Sequence, residues 1–330
     1  MVDLVESGYD VVSLDNEINS SAEVLTGIEK ITGKKIQNIH VDLSNANESI
    51  AAVKHHMQFD GIIHFAALKS VEESVFKPTL YFQNNVGGTI TTMRMMDELN
   101  IPHLIFSSSC TVYGSPAKLP VKEDAPFSKA ESPYGATKQV SEILYDQYFN
   151  RKASAASEAS TFSGVSLRYF NPAGAHPSAL IGESPINKPT TLVPVITETA
   201  IGKRNEMIVH GNDYDTRDGS CVRDFIDIMD LAQAHTLALD YLLQKKNQKP
   251  YEAFNLGIGE GVTVLEAIKA FEESTGQKVK YKIGPRRAGD IPAIYADHSL
   301  ITSRIGWKPE KHIRNIMASA WEWEKARSKK

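Results

Sequence analysis

Apolar residues recur along this chain in two alternating rhythms. Short runs stand at 9–15 (YDVVSLD), at a stretch ending in HVDL at 40–43, at 61–68 (GIIHFAAL), at 103–109 (HLIFSSS) and at 165–170 (VSLRYF). The continuous ones have the length and composition of strands buried on both faces. Between them, 48–57, 80–99 and 134–149 (YGATKQVSEILYDQYF) predict helices. The chain opens on VDLVES, read as the tail of a helix, with Gly8 where a C-cap glycine belongs. Strand following helix in this way predicts an α/β fold, a doubly wound parallel sheet of Rossmann-like type. The segment RKASAASEASTFS at 151–163, rich in Ala and Ser, predicts a surface loop. After Asn171 the alternation loosens, although VTVLEAIKAF and IRNIMASAWEW keep buried patterns. We expect a first unit over 1–172 and a smaller α/β unit over 173–330.

Composition removes several classes. With 42% hydrophobic and 23% charged residues the chain is ordinary globular material. A net charge of −4 gives no basic surplus for nucleic acid or an anionic membrane surface. No apolar run is long enough to span a bilayer, and MVDLVESGYD lacks the layout of a signal peptide. Cys110 and Cys221 cannot build a disulfide framework, so a reducing, cytoplasmic setting is expected. The ten histidines show no metal-ligand spacing, and no metal is expected.

Candidate chemistry gathers in the first half. Tyr134 and Lys138 stand four apart on a predicted helix, so both side chains reach one cleft. An ammonium beside a phenol favours the phenolate, which predicts a lowered Tyr134 pKa and an acid/base role. Y-x-x-x-K alone is common on solvated helices. Here it follows a strand ending in Ser107, Ser108 and Ser109, and strand C-termini are where doubly wound sheets hold ligands. Ser109 can meet a substrate hydroxyl and the Tyr134 oxygen, or cap the next turn. Gly257, Gly259 and Gly261 form a glycine-rich turn without the full dinucleotide spacing.

These residues lie in the blocks SSSCTVYG, SPYGATK, RYFNPAGAHPSALIGE, GNDYDTRDGSCVRDFIDIMDLA and PRRAGD. In order and spacing they resemble the UDP-glucose 4-epimerases of the extended short-chain dehydrogenase/reductase family, from about Val2 to the C-terminal region. The resemblance implies tightly bound NAD and a UDP-hexose substrate epimerised at C4 through a 4-keto sugar. It makes Ser109, Tyr134 and Lys138 catalytic. It puts Asp15 and Asn16 at the adenosine ribose, where a carboxylate favours NAD over NADP. Asp42 and Leu43 would lie against the adenine, and Phe65, Ala66, Ala67 and Lys69 along the middle of the cofactor. Asn84, Tyr169 and Phe170 would touch or flank it, Lys138 would hold the nicotinamide ribose, and Ser109 and Tyr134 would meet both ligands. The UDP-sugar would be met by Thr111, Asn171, Thr191, Leu192, His210, Arg223, Arg287 and Asp290. A homodimer stays open.

The chain departs from the family at several places. Thr191 stands where Asn is common, His210 where an aromatic ring stacks on uracil, Phe225 where Tyr is common, and Ile294 where many members carry Tyr. The glycine-rich turn belongs about 20 residues ahead of the ribose-binding acid, and Asp15 has too little chain before it. The expectation is therefore that the first strand is missing, that the natural product begins upstream, and that the chain as written folds and holds NAD poorly. Three other readings remain: a different nucleotide-sugar enzyme such as a dehydratase, an epimerase for UDP-N-acetylglucosamine, and a binding homologue without catalysis. Cys110 and Thr111, where dehydratases need acids, count against the first. The intact Ser109, Tyr134 and Lys138 count against the last.

Overall fold

The computed structural model describes residues 1–56, 58–155, 161–287 and 290–329. Ala288 and Gly289, within the PRRAGD block, lie outside them. The first half runs α1 (Val2–Glu6), β1 (Val12–Asp15), α2 (Glu23–Thr32), β2 (Gln37–His40), α3 (Ala46–Val53), β3 (Gly61–His64), α4 (Val71–Phe76) and α5 (Pro78–Tyr81). After one π-helical turn (Phe82–Val86) come α6 (Gly87–Leu99), β4 (His103–Ser109), α7 (Pro133–Ala155) and β5 (Ser163–Tyr169). The second half continues through β6 (Asn171–Ala173), α8 (Leu192–Ala200), β7 (Met207–His210), β8 (Val222–Arg223), β9 (Phe225–Asp227), α9 (Ile228–Leu243) and β10 (Tyr251–Leu256). It ends with β11 (Val262–Thr263), α10 (Val264–Thr275), β12 (Tyr281–Gly284), β13 (Ala293–Ile294), α11 (Ser299–Ile305) and α12 (Ile313–Arg327).

The main sheet is parallel, in the order β10-β5-β4-β3, and β1 and β2 form a separate parallel pair. No ladder joins β1 to β3 among the described residues. β10 comes from the second half of the chain, so the main sheet draws on residues from both sides of position 172. One face of the sheet packs Ile105, Val165, Leu167, Phe254 and Leu256 against α9 and Trp307. The other packs Leu104 and Phe106 against Met96, Tyr145 and Phe149 of α6 and α7. A further core under the substrate-side elements holds Ile196, Val209, Phe271, Ile316 and Met317.

Local chemistry sets the ends. Gly33 closes α2 at φ 70, where a side chain is strained. Ser132 caps α7 by accepting the Gly135 N–H at 3.1 Å. Thr263 and Glu266 form a reciprocal capping box on α10.

Four expected boundaries shift. β3 ends at His64, and Phe65 to Lys69 leave the sheet as a loop. β2 stops at His40, before the HVDL block is complete. The helix expected over 80–99 is interrupted by the π-helical turn. The expected loop at 151–163 begins as helix, because α7 continues to Ala155 with Lys152 paired to Asp97 of α6 at 2.5 Å. Residues 156–160 of that segment lie outside the described residues, and β5 already starts at Ser163.

Candidate active site

Parallel strands align their C-terminal ends, and the candidate residues sit there. At the ends of β1 and β2, Asn16 donates to the Asp42 carboxylate at 3.2 Å, while Asp15 accepts the Glu17 N–H at 2.6 Å and the Ser20 hydroxyl at 3.0 Å. Burial works against charge on Asp42. Hydrogen bonds from Ser44 and Asn16 outweigh it and hold the carboxyl below its usual range. Leu43 packs partly buried beside Ile50 and Val53. Past β3, Phe65 is 53% exposed and lies 4.7 Å, ring to ring, from His235. Ala66 lends its carbonyl to His64 at 3.1 Å, Ala67 follows in the same loop, and Lys69 crosses to Glu183 at 3.3 Å.

The π-helical turn carries Asn84, which donates to Asn85 at 2.9 Å. Buried Asn85 does more than its neighbour. It holds both backbone groups of Leu68 and the Thr137 hydroxyl, tying the loop after β3 to α7.

The three residues expected to be catalytic gather where β4 ends against α7. Ser109 accepts the Thr111 N–H at 3.2 Å, so it caps the following turn, and its hydroxyl favours the ionised form of the Tyr134 phenol. Lys138 is 4% exposed and donates to the Ser107 carbonyl at 2.6 Å. Its ammonium lies 5.9 Å from the centroid of the Tyr134 ring and 4.8 Å from that of Phe106. Burial draws Lys138 down to about 8, against the pull of Glu142. Burial also pushes Tyr134 up to about 12, with Ser109 opposing. The sequence expectation of a lowered Tyr134 pKa is thus reversed in the chain alone. Lys138 gives its hydrogen bond to Ser107, and desolvation of the phenolate outweighs what Ser109 gives.

Tyr169 and Phe170 part company. The Tyr169 hydroxyl bonds His235 Nε2, and His235 Nδ1 meets the Leu231 carbonyl at 2.8 Å. Phe170 turns into a buried cluster with Cys110, Val112, Tyr113 and Ile294. Among the described residues the buried Thr111 hydroxyl has no hydrogen-bond partner; it lies in the turn that Ser109 caps.

The other residues expected at the substrate stand in the second half of the chain, save Thr111. Asp290 Oδ1 lies 3.3 Å from Arg223 and 3.1 Å from Arg287. Arg223 also donates to the Val222 and Ile291 carbonyls at 2.9 Å. Asn171 opens β6, its N–H bound to the Asp224 carbonyl at 2.9 Å. Thr191 precedes α8 as its N-cap residue without a side-chain cap, and its hydroxyl lies 3.5 Å from Glu183; Leu192 begins the helix. His210 ends β7, exposed, 3.3 Å from the Pro285 carbonyl.

Sequence reasoning missed several residues. Asp224 is buried and accepts the N–H groups of Ile258, Gly259 and Ala296 at 2.8, 3.0 and 3.0 Å. A Cβ on Gly257 would stand 2.4 Å from the Asp224 carboxylate, so the glycine-rich turn serves this clamp. Glu142, one helical turn past Lys138, was visible as a carboxylate on the same helical face.

The comparisons agree with one another. A family model described as GDP-mannose 4,6 dehydratase matches residues 1–320. The UDP-glucose 4-epimerase of Dictyostelium discoideum is 42% identical, over 98% of this chain and 91% of that protein. The Yersinia enterocolitica UDP-glucose 4-epimerase is 44% identical, over 98% and 92%. The Stenotrophomonas maltophila UDP-glucose 4-epimerase, solved with NAD and formylated UDP-arabinopyranose, superposes with a TM-score of 0.92 at 40% identity, over 99% of this chain and 94% of that one. The Bifidobacterium longum enzyme with NAD+ and UDP gives 0.91 at 39%, with the same two shares.

Proposed function

This chain belongs to the UDP-glucose 4-epimerase family, and from that premise we propose that it interconverts UDP-glucose and UDP-galactose with NAD, as a step of galactose metabolism. The observation that carries the reading is that Ser109, Tyr134 and buried Lys138 gather at the C-terminal end of a parallel strand, in a chain that also holds Arg223 and Arg287 together on Asp290.

Residues suited to the adenosine and nicotinamide ends of NAD are present, while Gly8 is the one glycine ahead of β1 and offers no glycine-rich turn to the pyrophosphate. Asp15, Asn16 and Asp42 offer carboxylates and an amide at adjoining strand ends, suited to the adenosine ribose and the adenine. Ala66 and Ala67 allow close approach along the cofactor's middle, with Leu43, Phe65, Lys69, Asn84 and Tyr169 around it. Among the described residues Lys138 has one hydrogen-bond acceptor, which leaves two of its N–H groups for the nicotinamide ribose. NAD, held by these residues, would supply the acceptor and donor of the hydride at C4 of the sugar.

Tyr134 removes and later returns the proton of the 4-hydroxyl, and Ser109 holds that oxygen and the phenol together. Lys138 supplies positive charge that offsets the phenolate. Arg223 and Arg287 offer planar guanidinium donors to the diphosphate, and Asp290 keeps them facing one point before the substrate arrives. Thr111, Asn171, Thr191, Leu192 and His210 complete the pocket for sugar and uridine.

A homodimer suits the exposed apolar side chains Val71, Val75, Phe76, Leu80, Phe82, Ile90 and Ile143, on helical segments packed together around α7. The free, buried Cys110 and Cys221 suit a reducing compartment, and we read the location as cytoplasmic. No helix among the described residues is long and apolar enough to cross a membrane. The test is to incubate the purified chain with NAD and UDP-galactose and to follow UDP-glucose by proton NMR. We expect an equilibrium mixture from either sugar. A chain that holds NAD and converts neither would contradict the reading.

A further inference from the structure

Beneath the reacting residues lies an ion pair for which the mechanism above has no role. Glu142 and Arg168 face each other with side chains 4% and 7% exposed. The contact is a double one, with Arg168 Nη2 2.7 Å and Nε 3.2 Å from Glu142 Oε2, and Nε 3.0 Å from Oε1. Glu142 also accepts the Ser108 hydroxyl. Arg168 is the residue opposite Ser108 in the β4–β5 ladder, and its Nη1 reaches the Tyr113 hydroxyl at 2.9 Å and the Glu123 carbonyl at 3.1 Å.

Taking two charges out of water is costly, and such a pair adds little stability over apolar residues of the same shape. Its place suggests another use. Tyr134, Lys138 and Glu142 follow one another at four-residue intervals on α7, so they lie along one helical face. Two of them are bonded to the strand end, Lys138 to the Ser107 carbonyl and Glu142 to the Ser108 hydroxyl, and Ser109, next along the strand, favours the ionised Tyr134 phenol. We propose that Glu142 and Arg168 are positioning residues, which fix α7 against the end of β4 and keep the Lys138 ammonium charged where Tyr134 needs it. The inference rests on the epimerase reading.

The charged and titratable groups around Lys138 are few. On α7 they are Tyr134 and Glu142. From β3 comes His64, which burial pulls down to about 3 and so leaves neutral. From β5 come Tyr169 and Arg168, the second of them bound to Glu142. Glu142 is the group that favours the charged amine against burial.

The test compares Glu142→Gln and the double variant Glu142→Gln/Arg168→Met with the unmutated chain; the double variant removes both charges of the pair, so Arg168 is not left buried without its carboxylate. Two readouts separate positioning from a merely structural part. One is the NMR titration midpoint of the Lys138 ε-carbon, assigned by loss of its signal in Lys138→Met. The other is the pH profile of kcat alongside KM for UDP-galactose. We expect the midpoint and the alkaline limb of kcat to move to lower pH by about one unit, with KM unchanged. A folded variant in which neither moves overturns the proposal. Ser108→Ala keeps the ion pair and cuts its link to the strand, so it decides the matter should both Glu142 variants fail to fold. It is expected to lower kcat roughly tenfold at constant KM, and an unchanged kcat overturns the proposal. An unmutated chain that holds NAD without turnover would count against the epimerase reading, and the ε-carbon titration would still judge the ion pair.

Discussion

Lys138 gives its hydrogen bond to the carbonyl oxygen of Ser107, 2.6 Å away, and is thereby fixed with its ammonium 5.9 Å from the centre of the Tyr134 ring. The strand end, not the phenol, holds the lysine. Tyr134 then has the Ser109 hydroxyl as the group in the chain that favours its ionised form. On the proposed mechanism acid–base duty falls on this phenol, and Tyr134→Phe is expected to lower kcat by about 10²–10⁴-fold while NAD content is kept. Turnover within a factor of about two of the unmutated chain would remove Tyr134 from the role.

Arg223 should matter to binding more than to chemistry. It is held by two backbone carbonyls and Asp290, aimed before any substrate arrives. A charge-assisted contact contributes about 1.5–3 kcal/mol, so Arg223→Leu should raise KM for UDP-galactose roughly 10- to 100-fold and leave kcat within a few-fold. Initial rates over a range of substrate would check this. A fall in kcat at constant KM would place the arginine elsewhere in the mechanism.

Two neutral histidines predict weakness in acid. Burial brings His235 down to about 4 and His64 to about 3. His64 uses Nδ1 towards the Tyr145 hydroxyl at 2.7 Å, and protonation there would end its role as acceptor. Both folded pKa values lie below the unfolded one, so the unfolded chain binds more protons as pH falls below about 6.5. Stability should therefore drop from pH 6.5 towards pH 4, each histidine adding up to about 1.4 kcal/mol per pH unit. Unfolding temperatures of the unmutated chain and of His235→Gln over that range should differ in slope, the variant being flatter. Equal slopes would show that His235 is not held neutral.

Ile294 bears on the choice of sugar. It packs buried beside Cys110 and Phe170, where many family members have a larger tyrosine. Conversion of UDP-N-acetylgalactosamine, slower than that of UDP-galactose but measurable, is the expected outcome. An enzyme active on the second sugar and silent on the first would show that the neighbouring Tyr295 fills the space.

Much of this was legible in the sequence. The alternation of apolar runs and helical patterns carried the parallel sheet because strands buried on both faces cannot hide their composition. Ser109, Tyr134 and Lys138 were legible because helix spacing and a strand end bring them together whatever else changes. The Tyr134 pKa was not, since its direction depends on burial and on which acceptor Lys138 chooses. Asn85, Arg168 and Asp224 were not, because each acts through partners 17 to 72 positions away, such as Leu68, Glu142 and Ala296. The early end of β3 at His64 had no sequence signal, the apolar run continuing through Leu68.

The central claim is that the chain inverts C4 by oxidation and reduction within one closed site. The direct measurement uses UDP-galactose carrying deuterium at C4, incubated with the chain and NAD in ordinary water, with the UDP-glucose product read by mass and NMR. The account predicts product that keeps its deuterium at C4. Product that has exchanged this label for solvent hydrogen would contradict it.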